Sequence, residues 1–146
     1  MEKLYNLFTY GTLMQGFDNP YARKLRLSAN YIGKGYFNGK LFRIEWYPGA
    51  LYEPDAHTRV YGEIYQLNSL EVLKELDEYE DVLEDEVASL YVRKVVPVRC
   101  GQEVVKDGQV PVRDSQEMVI DCWAYLYNQP VLDLPLIEDG YFKTRP

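Results

Sequence analysis

EMVIDCWAYLY, residues 117–127, reads as a strand apolar on both of its faces. Met118, Ile120, Cys122, Ala124 and Leu126 fall on one face, and Val119, Trp123, Tyr125 and Tyr127 on the other. A strand with one face in water alternates apolar with polar residues. This one does not, so cover is expected on both sides: core or a helix on one, and on the aromatic side a packed layer or the wall of a pocket. Working outward, residues 90–99 (LYVRKVVPVR), 59–67 (RVYGEIYQL) and 4–10 (LYNLFTY) are further strand candidates, the last ending at Gly11. Residues 31–46 read as two strands broken at Asn38-Gly39, a hairpin signal, and 47–51 (YPGAL) as a turn. Asp107-Gly108 predicts a small extra hairpin.

Two helices interrupt the strands. Asn19 followed by Pro20 supplies an N-cap and a proline at the first helical position, predicting a short helix over 20–27. Asn68 starts the second, with Glu71 at the reciprocal capping-box position. Many strands and two short helices make an α+β domain with a curved sheet or small barrel. With no repeat or linker, residues 1–146 read as one domain.

The composition bounds the function. The 146 residues carry 23 acidic against 16 basic side chains, a formal charge of −7, which argues against binding nucleic-acid phosphates. No apolar run approaches the ~20 residues of a spanning helix, and residues 1–10 lack a secretion signal, so a cytoplasmic location is expected. Cys100 and Cys122 form no CxxC and the lone His57 completes no Cys/His cluster, so no metal site and two reduced thiols are expected. A GxSxG elbow and a Walker loop are both absent. The acidic residues Asp81, Glu84, Asp85 and Glu86 lack the glycine and alternation of a calcium loop. The unusual feature is 14 tyrosines, residues that pack a ring while keeping a hydroxyl hydrogen-bonded.

Within the second helix, residues 70–80 (LEVLKELDEYE), Glu71, Lys74, Glu75 and Glu78 share one side, and Leu70, Val72, Leu73, Leu76 and Tyr79 the other. Asp77 sits at the edge of the apolar stripe, where its head can reach water. Glu80, seven residues after Leu73 and four after Leu76, points close to the stripe's middle. A buried carboxylate is costly and its pKa normally rises, which suits it to proton transfer near neutral pH. The structural alternatives are a helix that frays before Glu80, a pair with Arg93, or a backbone cap. A second candidate is the turn Tyr10-Gly11-Thr12-Leu13, whose N–H groups and Thr12 hydroxyl suit an anionic oxygen; an ordinary strand-ending turn explains the same residues.

Phe8-Thr9-Tyr10-Gly11-Thr12-Leu13, Tyr47-Pro48-Gly49-Ala50, Val60-Tyr61-Gly62-Glu63-Ile64-Tyr65, Leu76-Asp77-Glu78-Tyr79-Glu80, Tyr91-Val92-Arg93 and Ala124-Tyr125-Leu126-Tyr127 occur in that order along nearly the whole chain. Together they resemble the γ-glutamylcyclotransferase-like family, which includes γ-glutamylamine cyclotransferases and the plant avirulence-induced-gene-like proteins. The resemblance implies a small mixed β-barrel flanked by short helices. It also implies a substrate site at Tyr10, Gly11, Thr12 and Leu13, with Glu80 as the catalytic acid/base and Tyr91 and Tyr125 shaping the cavity. The implied reaction closes a γ-glutamyl compound to 5-oxoproline and releases the attached amine, without metal or organic cofactor. The implied partner is therefore a small γ-glutamyl molecule. Asp81 stands where the family commonly has glycine. The alternative is a non-catalytic domain that keeps the pocket and binds a metabolite or partner.

Overall fold

In the computed structural model, which describes residues 4–14, 16–17, 19–80, 82–100, 103–104, 112–113 and 118–142, five strands close into a mixed barrel. Strand β1 (Asn6–Thr9) lies antiparallel to β4 (Arg59–Leu67) and parallel to β8 (Met118–Tyr127). β8 runs antiparallel to β5 (Tyr91–Cys100), and β5 meets the long β2 (Ala29–Arg43) at Arg99 and Tyr36. Pairing of β2 with β4 completes the ring. The closure is short, since β5 and β2 meet at one residue pair only.

Alternation along the strands separates two apolar clusters. Phe8, Tyr10, Phe37, Ile64, Val96, Val98, Cys122 and Ala124 belong to one, and Leu7, Leu13, Tyr65, Tyr91 and Tyr125 to the other. The second cluster also holds Leu25 of helix α1 (Pro20–Ser28) and Val72, Leu73 and Leu76 of helix α2 (Glu71–Tyr79). The barrel is therefore packed inside by one set of side chains and roofed by two helices over the other. Residues 128–142 follow the ring closely: Ile137 N–H donates to Leu41 O at 2.7 Å and Tyr61 N–H to Gly140 O at 2.9 Å.

Four expectations are corrected. Asn38-Gly39 is no hairpin, because β2 runs straight through it. Up to Asn38 the strand pairs with β4; from Gly39 it pairs with β3 (Pro48–Tyr52). Gly39 is needed for close approach, since a Cβ there would sit 2.0 Å from Leu51 O. Residues 48–52 are correspondingly strand rather than turn; the turn lies just before, where Ile44 N–H donates to Tyr47 O at 3.0 Å. The second helix starts at Glu71 with no side-chain cap at Leu70, and Asn68 instead donates its N–H to Ser28 O. Finally, β8 is covered on both faces only in its second half. Met118 and Val119 are exposed, because the helical layer packs on the end that carries Tyr125. The small hairpin is present as β6 (Glu103–Val104) paired with β7 (Val112–Arg113), but its predicted turn at Asp107-Gly108 lies outside the described residues.

Candidate active site

At the end of β1 the chain turns sharply, with Met14 N–H donating to Gly11 O at 3.1 Å. Gly11 is required by space: a Cβ there would lie 2.9 Å from the Pro48 ring. Asn19 ties the turn to α1 from both ends of its amide. Its oxygen accepts from Ala22 N–H at 2.8 Å, capping the helix, and its nitrogen donates to Thr12 O at 2.8 Å. The Thr12 hydroxyl is within 2.6 Å of the Tyr79 hydroxyl, and the Tyr79 ring lies 4.5 Å from that of Tyr21. One small turn is thus held by both helices.

β3 bounds the other side. As an edge strand it exposes backbone groups, and tyrosine hydroxyls satisfy them. Tyr91 donates to Pro48 O, while Tyr10 accepts from Ala50 N–H at 3.2 Å and donates to the Tyr125 carbonyl. The Tyr125 hydroxyl donates to Asp77 Oδ1 at 2.7 Å. Asp77 keeps about a quarter of its side chain exposed, in line with its place at the edge of the stripe, and binds Arg93 through both oxygens, at 2.8 and 3.2 Å; Arg93 lies 4.7 Å over the Trp123 ring.

Between these walls is a cavity of about 130 Å³, comparable with the ~150 Å³ that admits benzene. It brings together Tyr10, Gly11, Thr12, Leu13, Glu80, Tyr91 and Tyr125, all seven of the residues singled out in the sequence. Glu80 is the only charged side chain lining it among the described residues. The last helical turn does not fray before Glu80, since its N–H donates to Leu76 O at 2.9 Å. Arg93 is engaged by Asp77 rather than by Glu80.

The charge of Glu80 is felt around the whole cavity. Burial first, then the Glu80 carboxylate, holds the Tyr10 phenol well above its ordinary pKa. Burial likewise raises Tyr91, with Tyr10 and Glu80 adding to the effect. It raises Tyr125 together with the Asp77 hydrogen bond and charge, and Tyr79 against an opposing hydrogen bond from Thr12. All four phenols remain neutral donors near pH 7. Leu13 contributes its backbone and a buried side chain that packs beneath the helices.

Sequence reasoning missed Phe8, Thr9, Trp46, Tyr47, Pro48, Tyr79 and Leu90 as lining residues. An aromatic pair ahead of Pro48-Gly49 was the available signal for Trp46 and Tyr47. For Thr9 there was none: its hydroxyl is buried, with the residue 4% exposed, and has no hydrogen-bond partner among the described residues. Asp81 lies outside the described residues. Among those described, no three His, Cys, Asp or Glu side chains gather as metal ligands, and no helix is long and apolar enough to cross a membrane. A larger open groove of about 370 Å³ runs beside residues 82–89, but its two cations are already paired, Arg93 with Asp77 and Lys94 with Glu86 at 3.1 Å.

Residues 7–144 match the family described as γ-glutamyl cyclotransferase, AIG2-like, and the chain belongs to that family. It is similar in structure to an AIG2-like protein from Mus musculus, at TM-score 0.65 and 23% identity over 97% of this chain and 90% of that one. YtfP from Escherichia coli aligns at TM-score 0.55 and 26% identity, covering 94% of this chain and 95% of that one. YkqA from Bacillus subtilis aligns at TM-score 0.62 and 19% identity over 96% of this chain, which spans only 40% of that protein's length. No curated sequence relative matches the chain.

Proposed function

We propose that the protein is a cyclotransferase converting a small γ-glutamyl compound to 5-oxoproline, with Glu80 as general acid/base. The observation that carries this reading is the position of Glu80 as the single charged side chain lining the cavity among the described residues. Membership in the γ-glutamyl cyclotransferase family supports the reaction type.

The substrate brings its own nucleophile. Its α-ammonium gives a proton to the Glu80 carboxylate, and the resulting amine attacks the γ-carbonyl carbon. The carbonyl oxygen takes up negative charge in a tetrahedral intermediate, for which N–H groups of Gly11, Thr12 and Leu13 are the nearby donors. Collapse re-forms the carbonyl, breaks the bond to the leaving nitrogen, and sends the Glu80 proton to that nitrogen; the surplus proton of the ring nitrogen then passes to Glu80 and on to the released amine, which departs as an ammonium. Glu80 ends as it began, and no net proton is consumed. Because nucleophile and electrophile are tethered, confining a folded-over conformer supplies much of the acceleration. The neutral phenols of Tyr10, Tyr91 and Tyr125 wall the site against water and add no competing charge.

Glu80→Gln keeps volume and removes the titrating group. It is expected to lower turnover ~10²–10⁴-fold with the fold retained. The measurement is 5-oxoproline release from pooled γ-glutamyl amino acids and amines, followed by mass spectrometry. Wild-type turnover in the variant would overturn the assignment of Glu80.

A further inference from the structure

We infer that the leaving amine of the substrate has an apolar, aromatic body and carries no carboxylate. The inference rests on the cyclotransferase reading and concerns the mouth of the same cavity. Trp46 lines the cavity yet is 66% exposed, so it forms the rim rather than the floor. Its ring lies edge-on to Tyr47 at 5.0 Å, and Tyr47 in turn lies 6.5 Å from Tyr91, giving a continuous aromatic path from solvent to the interior. Leu90 adds an aliphatic side chain to the same lining.

No Lys or Arg lines this cavity among the described residues. A γ-glutamyl amino acid or peptide has a carboxylate on its leaving half, and that anion would meet an aromatic rim with no cation to pair it. Glu80 within is the one charged lining residue among those described, so the local field disfavours a second anion. The substrate's α-ammonium already matches Glu80, leaving the rim to select the remainder by apolar contact. An aryl ring against Trp46 and Tyr47 loses water from both partners and gains edge-to-face contacts.

Three conjugates separate these effects: γ-glutamyl-phenethylamide, γ-glutamyl-phenylalanine, which adds only a carboxylate to the same ring, and γ-glutamyl-ethylamide, which lacks the ring. The phenethylamide is expected to have kcat/KM about tenfold or more above each of the others. Trp46→Ala is expected to shrink the phenethylamide-to-ethylamide ratio to below about threefold, and Trp46→Phe to restore much of it. Equal or better turnover of the phenylalanine conjugate, or an unchanged ratio in Trp46→Ala, overturns the inference. Calorimetric binding of the same three compounds to Glu80→Gln gives the ranking without chemistry. If no conjugate is turned over, the cyclotransferase reading fails. The binding order still decides the rim's preference: phenethylamide first sustains it, and any other order overturns it.

Discussion

Asp77 and Thr9 are polar side chains whose surroundings give opposite forecasts. Asp77 holds Arg93 with both oxygens and accepts from Tyr125, although its side chain and that of Arg93 are each about a quarter exposed, at 23% and 24%. Asp77→Asn keeps the shape but leaves Arg93 and the Tyr125 hydroxyl facing a weaker acceptor. A loss of ~2 kcal/mol in urea unfolding is expected, since hydrogen bonds to charged groups contribute about that much. Thr9 is the reverse case, a buried hydroxyl with no partner among the described residues. Thr9→Val removes the unsatisfied oxygen at equal size and is expected to stabilise the ligand-free protein by ~1 kcal/mol. A destabilised variant in the same titration would mean that the hydroxyl is already satisfied. Periodicity picked out Glu80 because a carboxylate on an apolar stripe is conspicuous in one dimension. Asp77 and Thr9 were not legible, because their meaning depends on partners from other elements.

At the scale of elements, local chemistry was readable where it is self-contained. Asn19-Pro20 predicted α1, and Asn19 caps it as expected. Asn19→Ala loses the cap and the tether to Thr12 together, so a loss of ~1–2 kcal/mol is expected, read as a lower midpoint in denaturant. The helix α2 followed its stripe, but its start did not follow the capping-box signal, since Asn68 is drawn to Ser28 instead. The deeper misreading was Asn38-Gly39, a good hairpin dipeptide placed in the middle of a strand. Its glycine serves the crossing from β4 to β3, where Leu51 O leaves no room for a Cβ. Gly39→Ala is expected to destabilise the protein by ~3 kcal/mol, the upper end of overpacking costs, measured by thermal or urea unfolding.

The molecule as a whole has a distinct alkaline limit. Tyr10, Tyr91 and Tyr125 are buried, and their phenols are held above their ordinary pKa in the folded state. Below pH ~10 both folded and unfolded chains keep these protons, so their contribution is constant. Above it the unfolded chain ionises first, binds fewer protons than the folded chain, and is favoured. Each such tyrosine withdraws ~1.4 kcal/mol of stability per pH unit until its folded pKa is reached. Denaturant midpoints are therefore expected to fall steeply from pH 10 to 11 while changing little between pH 7 and 9. A flat profile across pH 10–11 would show that these phenols ionise in the folded state. The Cys122 thiol, pushed up to about 12 mainly by burial, adds to the same trend from its ordinary pKa upward.

Strand-forming runs, the two helices and the placement of Glu80 on an apolar stripe are properties of neighbouring residues, and the sequence by itself determined them. Its ordered motifs also carried the family. Only the tertiary structure decided how β2 is shared between β4 and β3, and so that residues 48–52 are a strand whose edge is held by tyrosine hydroxyls. It alone placed Trp46 at the rim beside a cavity whose one charged lining residue, among those described, is Glu80. The physical reason is range. Propensity, capping and periodicity act within a few residues, whereas closing the barrel joins groups far apart along the chain, as the Tyr10 hydroxyl and the Tyr125 carbonyl are joined here.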